Sequence, residues 1–244
     1  MAIPKVLIGT PTFDGKNYCL PEFISNVCAF TYPRKRCKFV IFDNSASNEN
    51  ALLIANKFNI QTKYLNLNGY SVFEKLAETH NAIRQYAIDH HFDYLLHLES
   101  DVFPPADIIQ ELIWTKKPIV SATYFIGHGA QRHPIIRPID HGEILHHRYA
   151  MGKTMGNFHH HFTDGKVKPV LTAGIGCILI RRDVLLNFPF RYEQGKDKAP
   201  DSFFTNDLYH ADVINWVHTG KVCFHWSDSD WGNYSSLLKH NKTI

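Results

Sequence analysis

Two acidic side chains at alternate positions close an apolar run in Tyr94-Leu95-Leu96-His97-Leu98-Glu99-Ser100-Asp101. Such a run reads as a strand that delivers Glu99 and Asp101 together to the edge of a sheet, because strand side chains repeat with a period of two. Hard divalent cations select oxygen ligands, and a departing diphosphate needs such a cation to neutralise the charge that develops on it. The pair therefore points to a site for Mn²⁺ or Mg²⁺. Helix capping by Asp101 ahead of Pro104 is the plainer alternative, but it leaves Glu99 without a role.

Two other apolar runs end in polar residues, Gly9-Thr10-Pro11-Thr12 and Asp43-Asn44-Ser45. Each alone is ordinary turn chemistry. Together with Glu99 and Asp101 they would converge on one crevice, since ligands of open α/β sheets bind beyond the carboxyl ends of the strands. His225 follows the last strand-like segment, and imidazole is an acceptable partner to carboxylates around Mn²⁺. The run His159-His160-His161 is better read as a solvated loop, because adjacent side chains diverge and cannot share one ion.

The elements that must position these residues follow from the apolar pattern. Residues 5–8 and 38–42 are short β-branched and aromatic strands; 21–32 and 48–58 fit helices between and after them. This β-α-β-α order is the mark of a parallel sheet covered by helices. Residues 61–67 read as a third strand. Residues 71–90 carry Phe73, Leu76, His80, Ile83 and Ala87 on one helical face. Strands at 92–98 and 118–124 flank a helix at 106–114 that is introduced by Pro104-Pro105. From 127 to 168 no period survives, which reads as a lid or acceptor-side loop. Apolar pattern returns at 170–179, helices are expected at 182–187 and 203–217, and a last strand at 221–224. The expected fold is α/β: a mixed, mostly parallel sheet with helices on both faces, in one domain. Residues 1–125 would form its nucleotide-binding half, 126–226 its acceptor half and 227–244 a polar tail.

Composition bounds the function. With 244 residues and 44% hydrophobic content the chain can fill one sizeable core. A net charge of +3 gives no sign of nucleic-acid binding. The five cysteines include no CxxC pair, which argues against a disulfide framework or a cysteine zinc site. No apolar run approaches the roughly 20 residues of a membrane span, and the start lacks a secretion signal, so a soluble, cytoplasmic protein is expected.

In these motifs the sequence resembles the nucleotide-sugar glycosyltransferases of the GT-A fold, especially the inverting group called family two, over about residues 5–225. The resemblance implies that Thr10, Pro11 and Thr12 line the base of the donor, and that Asp43 contacts its uracil or ribose. It implies that His80 and Asn81 stand beside the nucleotide, although His80 lies on a buried helical stripe and is equally well read as a core histidine. Glu99 would meet ribose or metal, Asp101 would bind the metal, and His225 would complete the metal site. Glu99 departs from the usual Asp at its position. Gly174 and Gly176 would allow backbone to approach the donor sugar and acceptor, or serve a bulge. The general base would be Asp207 or its rival Asp201, with Asn206 standing where Glu is common.

The function expected is therefore metal-dependent transfer of a sugar, a hexose or pentose, from a nucleotide-sugar, of which UDP-sugar is implied by the resemblance. The acceptor hydroxyl, on glycan, lipid, protein or modified nucleic acid, is not legible. Two alternatives compete: a non-catalytic nucleotide-sugar or glycan-binding module, and a sugar-phosphate nucleotidyltransferase. The latter usually opens on a Gly-rich loop bearing Arg and Lys, which residues 9–16 lack in glycine density and in arginine.

Overall fold

Strand β1 (Val6–Thr12) is an interior strand of the sheet, third from one edge, and is buried except at Pro11. The computed structural model describes residues 2–126, 133–140, 143–144, 163–196 and 199–226. After β1, the chain continues through α1 (Leu20–Cys28), β2 (Cys37–Asp43), α2 (Glu49–Phe58), β3 (Gln61–Tyr64), α3 (Val72–Asp89), β4 (Tyr94–Leu98), β5 (Val102–Phe103), α4 (Ile108–Trp114) and β6 (Ile119–Thr123). Short strands β7 (Phe125–Ile126) and β8 (His133–Pro134) precede β9 (Ile136–Asp140), β10 (Glu143–Ile144), β11 (Val167–Ala173) and β12 (Cys177–Arg181). The described chain closes with α5 (Arg182–Asn187), α6 (Pro200–His210), β13 (Asn215–Val222) and β14 (Phe224–His225).

Ten of the described strands form one sheet in the order β10-β9-β11-β13-β6-β12-β4-β1-β2-β3. Strands β1 to β4 are mutually parallel, β12 runs antiparallel between β4 and β6, and β13 pairs parallel with β6. The alternation within each strand divides the core. Val6, Ile8, Leu96 and Leu98 face α1, α2 and α4 through Phe23, Ile54 and Leu112, whereas Leu7, Leu95 and Ile178 face α3, α5 and α6 through Ile83, Leu185 and Phe204. Successive side chains pointing to opposite faces put apolar residues on both, as the expected two-layered cover requires. Helix α3 starts at a capping box between Ser71 and Glu74.

Three sequence expectations change. Strand β1 extends to Thr12 rather than turning at Gly9, because β2 pairs with it as far as Thr12↔Asp43. Pro11 is tolerated there, as the β4 side of the ladder ends at Gly9↔His97 and no partner needs the missing N–H. The helix expected over 203–217 is instead α6 followed by β13: Asp212 takes a left-handed turn (φ 56°), and Trp216 and Val217 then pair with Val120 and Ser121. The segment 127–168, read as patternless, contributes β8, β9 and β10 and the start of β11 to the described chain. The His159–His161 run and the tail 227–244 lie outside the described residues.

Candidate functional site

The parallel strands β1, β2 and β4 end side by side, and the loops after them carry the polar residues. Thr12 Oγ1 lies 3.3 Å from Ser100 Oγ, which ties the end of β1 to the Glu99-Ser100-Asp101 turn. Beyond that turn, β5 pairs antiparallel with β14 in the register His225↔Val102, and the Trp226 amide donates to the Asp101 carbonyl at 2.8 Å. This small ladder carries His225 from the far end of the chain to Asp101, with Nε2 3.5 Å from Oδ2.

Asp101 is nearly enclosed, and its Oδ2 accepts a second cation, the Lys16 ammonium, at 2.5 Å. Burial alone would push this carboxyl up, but His225 and Lys16 outweigh it and hold Asp101 below the usual carboxylate range. Burial pulls the His225 imidazole down, and the neighbouring Asp101 more than offsets that, so it is raised. Glu99 shows the opposite outcome: burial first, and then Asp101, push its carboxyl up to about 7. The two neighbouring carboxyls thus shift in opposite directions, because His225 and Lys16 stand directly against Asp101 and not against Glu99.

Glu99 lies against the turn between β11 and β12. Its amide donates to the Gly176 carbonyl at 2.8 Å. The phenol of buried Tyr124 accepts from the Gly176 amide at 3.1 Å, and its ring fills the space beside both glycines. A Cβ on Gly174 would fall 2.1 Å from the Tyr124 hydroxyl, and one on Gly176 2.8 Å from it and 3.0 Å from Glu99 Oε2. Such distances are inside van der Waals contact. The glycines are thus required by Tyr124, a residue that carried no signal in the sequence.

Asp43 closes β2 fully buried. Its Oδ1 accepts from Ser45 Oγ at 2.7 Å and from Asn50 Nδ2 at 2.8 Å, while Oδ2 has no partner. Burial raises this carboxyl. The Thr10 hydroxyl, on the adjoining strand, is likewise buried and unpartnered. Unpaired buried polar atoms are costly, so two at neighbouring strand ends point to groups that a ligand satisfies.

The remaining predicted residues are placed as follows. His80 is interior: its Nδ1 meets His97 Nε2 at 2.9 Å, and His97 Nδ1 meets the Ile175 carbonyl at 2.9 Å. Asn81 bonds both the amide and the carbonyl of Phe190, joining α3 to the segment before α6. Both side chains are therefore already paired within the protein. Asp201 lies in the first turn of α6, close enough for its charge to add to the upward shifts of Glu99 and Tyr124. Asp207 is late in the same helix, held by Arg191; residues six apart on a helix stand about 240° around its axis, so the two rivals face different surroundings. Asn206 is exposed.

Lys16, Asn50 and Tyr124 belong to this site and were missed. Lys16 follows Asp14-Gly15, a turn at the mouth of a strand end, which was the one signal available for it.

The chemistry of the donor set fits a divalent cation. Asp101 offers oxygen and His225 nitrogen, a mixed pair suited to Mn²⁺, and two protein ligands leave positions for phosphate oxygens and water. Among the described residues no cluster of three His, Cys, Asp or Glu is assembled.

Neither a family model nor a curated protein matches the chain by sequence. Solved structures do match by shape. The mannosyltransferase PcManGT from Pyrobaculum calidifontis, in complex with GDP-Man and Mn²⁺, aligns at 14% identity over 98% of this chain and 61% of its own, with a TM-score of 0.60. The crystal structure of S. aureus TarS 1–349 in complex with UDP-GlcNAc aligns at 14% identity over 92% of this chain and 60% of its own, with a TM-score of 0.54. The fold is that of the GT-A glycosyltransferases. The GT-A sheet here also matches A197 from STIV, at 13% identity over 92% of this chain and 86% of that one, with a TM-score of 0.50. The chain spans about three fifths of the length of the first two. Among the described residues no helix is long and apolar enough to cross a membrane.

Proposed function

We propose that this protein is a glycosyltransferase that binds a nucleoside diphosphate sugar, UDP-sugar first among the candidates, and moves the sugar to an acceptor hydroxyl with inversion. The observation that carries this reading is the meeting of Asp101 and His225 at one carboxylate oxygen, beside an Asp43 whose second oxygen is buried and unsatisfied. Asp43 Oδ2 is an acceptor for a ring N–H of the base or a ribose hydroxyl, and the Thr10 hydroxyl supplies a second bond.

Asp101 and His225 would hold a divalent cation, Mn²⁺ or Mg²⁺. When bound, such an ion neutralises charge on a departing diphosphate. Across the crevice, Asp201 takes the proton from the attacking hydroxyl. Its place in the first turn of α6 favours the ionised form that a base needs, because helix N-termini stabilise negative charge. Glu99, Gly174 and Gly176 line the wall between them, where a donor sugar would lie.

The test is UDP affinity with and without Mn²⁺, in the wild-type protein and in Asp101→Asn. Tighter binding with Mn²⁺ in the wild type and no gain in the variant is the expected result. An equal gain in both proteins would remove Asp101 from the cation site.

A further inference from the structure

The short turn Asp14–Lys16 follows β1 directly, and it aims a lysine at the carboxylate assigned above to a cation. Lys16 Nζ takes Asp101 Oδ2 at 2.5 Å, the same oxygen that His225 Nε2 faces at 3.5 Å. An ammonium offers three donors and no acceptor, so it satisfies the lone pairs that a divalent cation would need. The lysine is held in place rather than waving from the surface. Its side chain is 29% exposed, its carbonyl accepts from the Cys19 amide at 3.1 Å and from Cys19 Sγ at 3.2 Å, and the Asp14 amide donates to Ser45 Oγ at 2.8 Å. Ser45 in turn donates to Asp43. One turn therefore connects the nucleoside end of the crevice with its cation end.

We propose that Lys16 is a resident counter-ion of Asp101 that a divalent cation must displace, and that the donor diphosphate enables the exchange by giving the ammonium a new anionic partner. This inference rests on the donor-site reading above. Without nucleotide, a cation entering the site would leave Lys16 and the metal charge facing one carboxylate in a poorly solvated pocket, and like charges so placed repel strongly. With a diphosphate present, Lys16 transfers to phosphate oxygens and Asp101 is released. Cation and nucleotide must then bind cooperatively, and linkage requires each to raise the affinity of the other by the same factor.

The experiment titrates Mn²⁺ calorimetrically into wild type, Lys16→Met, Lys16→Gln and Lys16→Arg, each with and without saturating UDP. Wild type should bind Mn²⁺ weakly alone and more tightly with UDP, by a factor of about 5–150. The two neutral variants should bind Mn²⁺ alone about 10-fold more tightly than wild type, with the UDP effect reduced to match, and Lys16→Arg should behave like wild type. The use of two neutral variants guards against one that fails to fold. If wild type shows the UDP effect and neither neutral variant gains Mn²⁺ affinity, the role of Lys16 is overturned while the donor site stands. If no protein binds Mn²⁺ with or without UDP, both readings fall.

Discussion

The Asp207 carboxylate is gripped by both arms of the Arg191 guanidinium, Nε to Oδ2 at 2.6 Å and Nη2 to Oδ1 at 2.8 Å. A carboxylate in this two-pronged grip has one acceptor site on each oxygen occupied and its orientation fixed by a permanent cation. It is poorly suited to take a proton from an acceptor hydroxyl. Asp201→Asn should therefore lower steady-state transfer about 10²–10⁴-fold with donor affinity unchanged. Asp207→Asn should lower the melting temperature and leave the turnover of folded enzyme close to wild type. A collapse of turnover in the Asp207 variant alone would reverse the assignment.

Asp43 and Asp101 do separable work in this scheme, and their variants should fail differently. Asp43→Asn presents an amide where Oδ2 awaits a donor, so UDP affinity should drop about 10–100-fold, in line with an unmet buried hydrogen bond. The ratio of affinities with and without Mn²⁺ should persist, whereas Asp101→Asn should abolish that ratio. Binding isotherms for both variants decide it, and full UDP affinity in Asp43→Asn would take that side chain out of the base pocket.

Stability should decline in mild acid through the His80–His97 pair. Burial lowers both imidazoles, His97 to about 4 and His80 well below its usual value, so both are neutral in the fold. In the unfolded chain they titrate near 6.5. As pH falls below about 6.5 the unfolded chain binds protons that the folded chain refuses, and stability drops by up to about 1.4 kcal/mol per pH unit per histidine until the folded form titrates as well. Urea midpoints at pH 7.5, 6 and 5 should fall in that order. His97→Gln should flatten the trend, and an unaltered slope in that variant would show that other groups set it.

Gly174 and Gly176 should behave as a packing unit with Tyr124. Gly174→Ala forces a methyl toward the phenol and should cost about 1–3 kcal/mol, the usual penalty for overpacking a filled interior. Truncating the ring in a Tyr124→Ala background should remove most of the added cost, so the two changes would be strongly non-additive. Additive losses in melting experiments would place the strain of Gly174→Ala elsewhere.

Much of this site could be read from residue order because parallel strands announce themselves. Asp43, Glu99 and Asp101 close apolar runs, and once the strands are parallel their ends must lie together. His225 was legible only as a polar residue after a strand; what brings it to Asp101 is a two-residue ladder with Val102–Phe103, too short for any periodicity to reveal. His80 and Asn81 sit on the expected helix, and what the sequence could not show is that His97 and Phe190 pair with them, since a helical stripe does not say what lies opposite it. The helix expected over 203–217 runs too far because Val213–Val217 is apolar enough to pass for its continuation. The left-handed turn at Asp212 divides helix from strand there, and the helix begins at Pro200, which puts Asp201 in its first turn and Asp207 late in it. Lys16 had no pattern at all, since a single lysine in a turn is ordinary until the carboxylate facing it is known.

The antiparallel strand β12 has a consequence for how the chain reaches this state. It lies between β4 and β6, both of which precede it by many residues, and the apolar side chains Leu95, Leu96, Ile119 and Val120 of those strands are completely enclosed in the finished sheet. Until residues 177–181 arrive, β4 and β6 have no common neighbour, and each presents an open ladder edge of the kind that invites pairing with other chains. Contacts so distant in sequence carry a large loop-closure cost before they are repaid, which slows folding. On the ribosome, strands β4 and β6 would therefore wait with their edges exposed, and a protein cut after residue 125 should aggregate instead of forming a smaller folded unit.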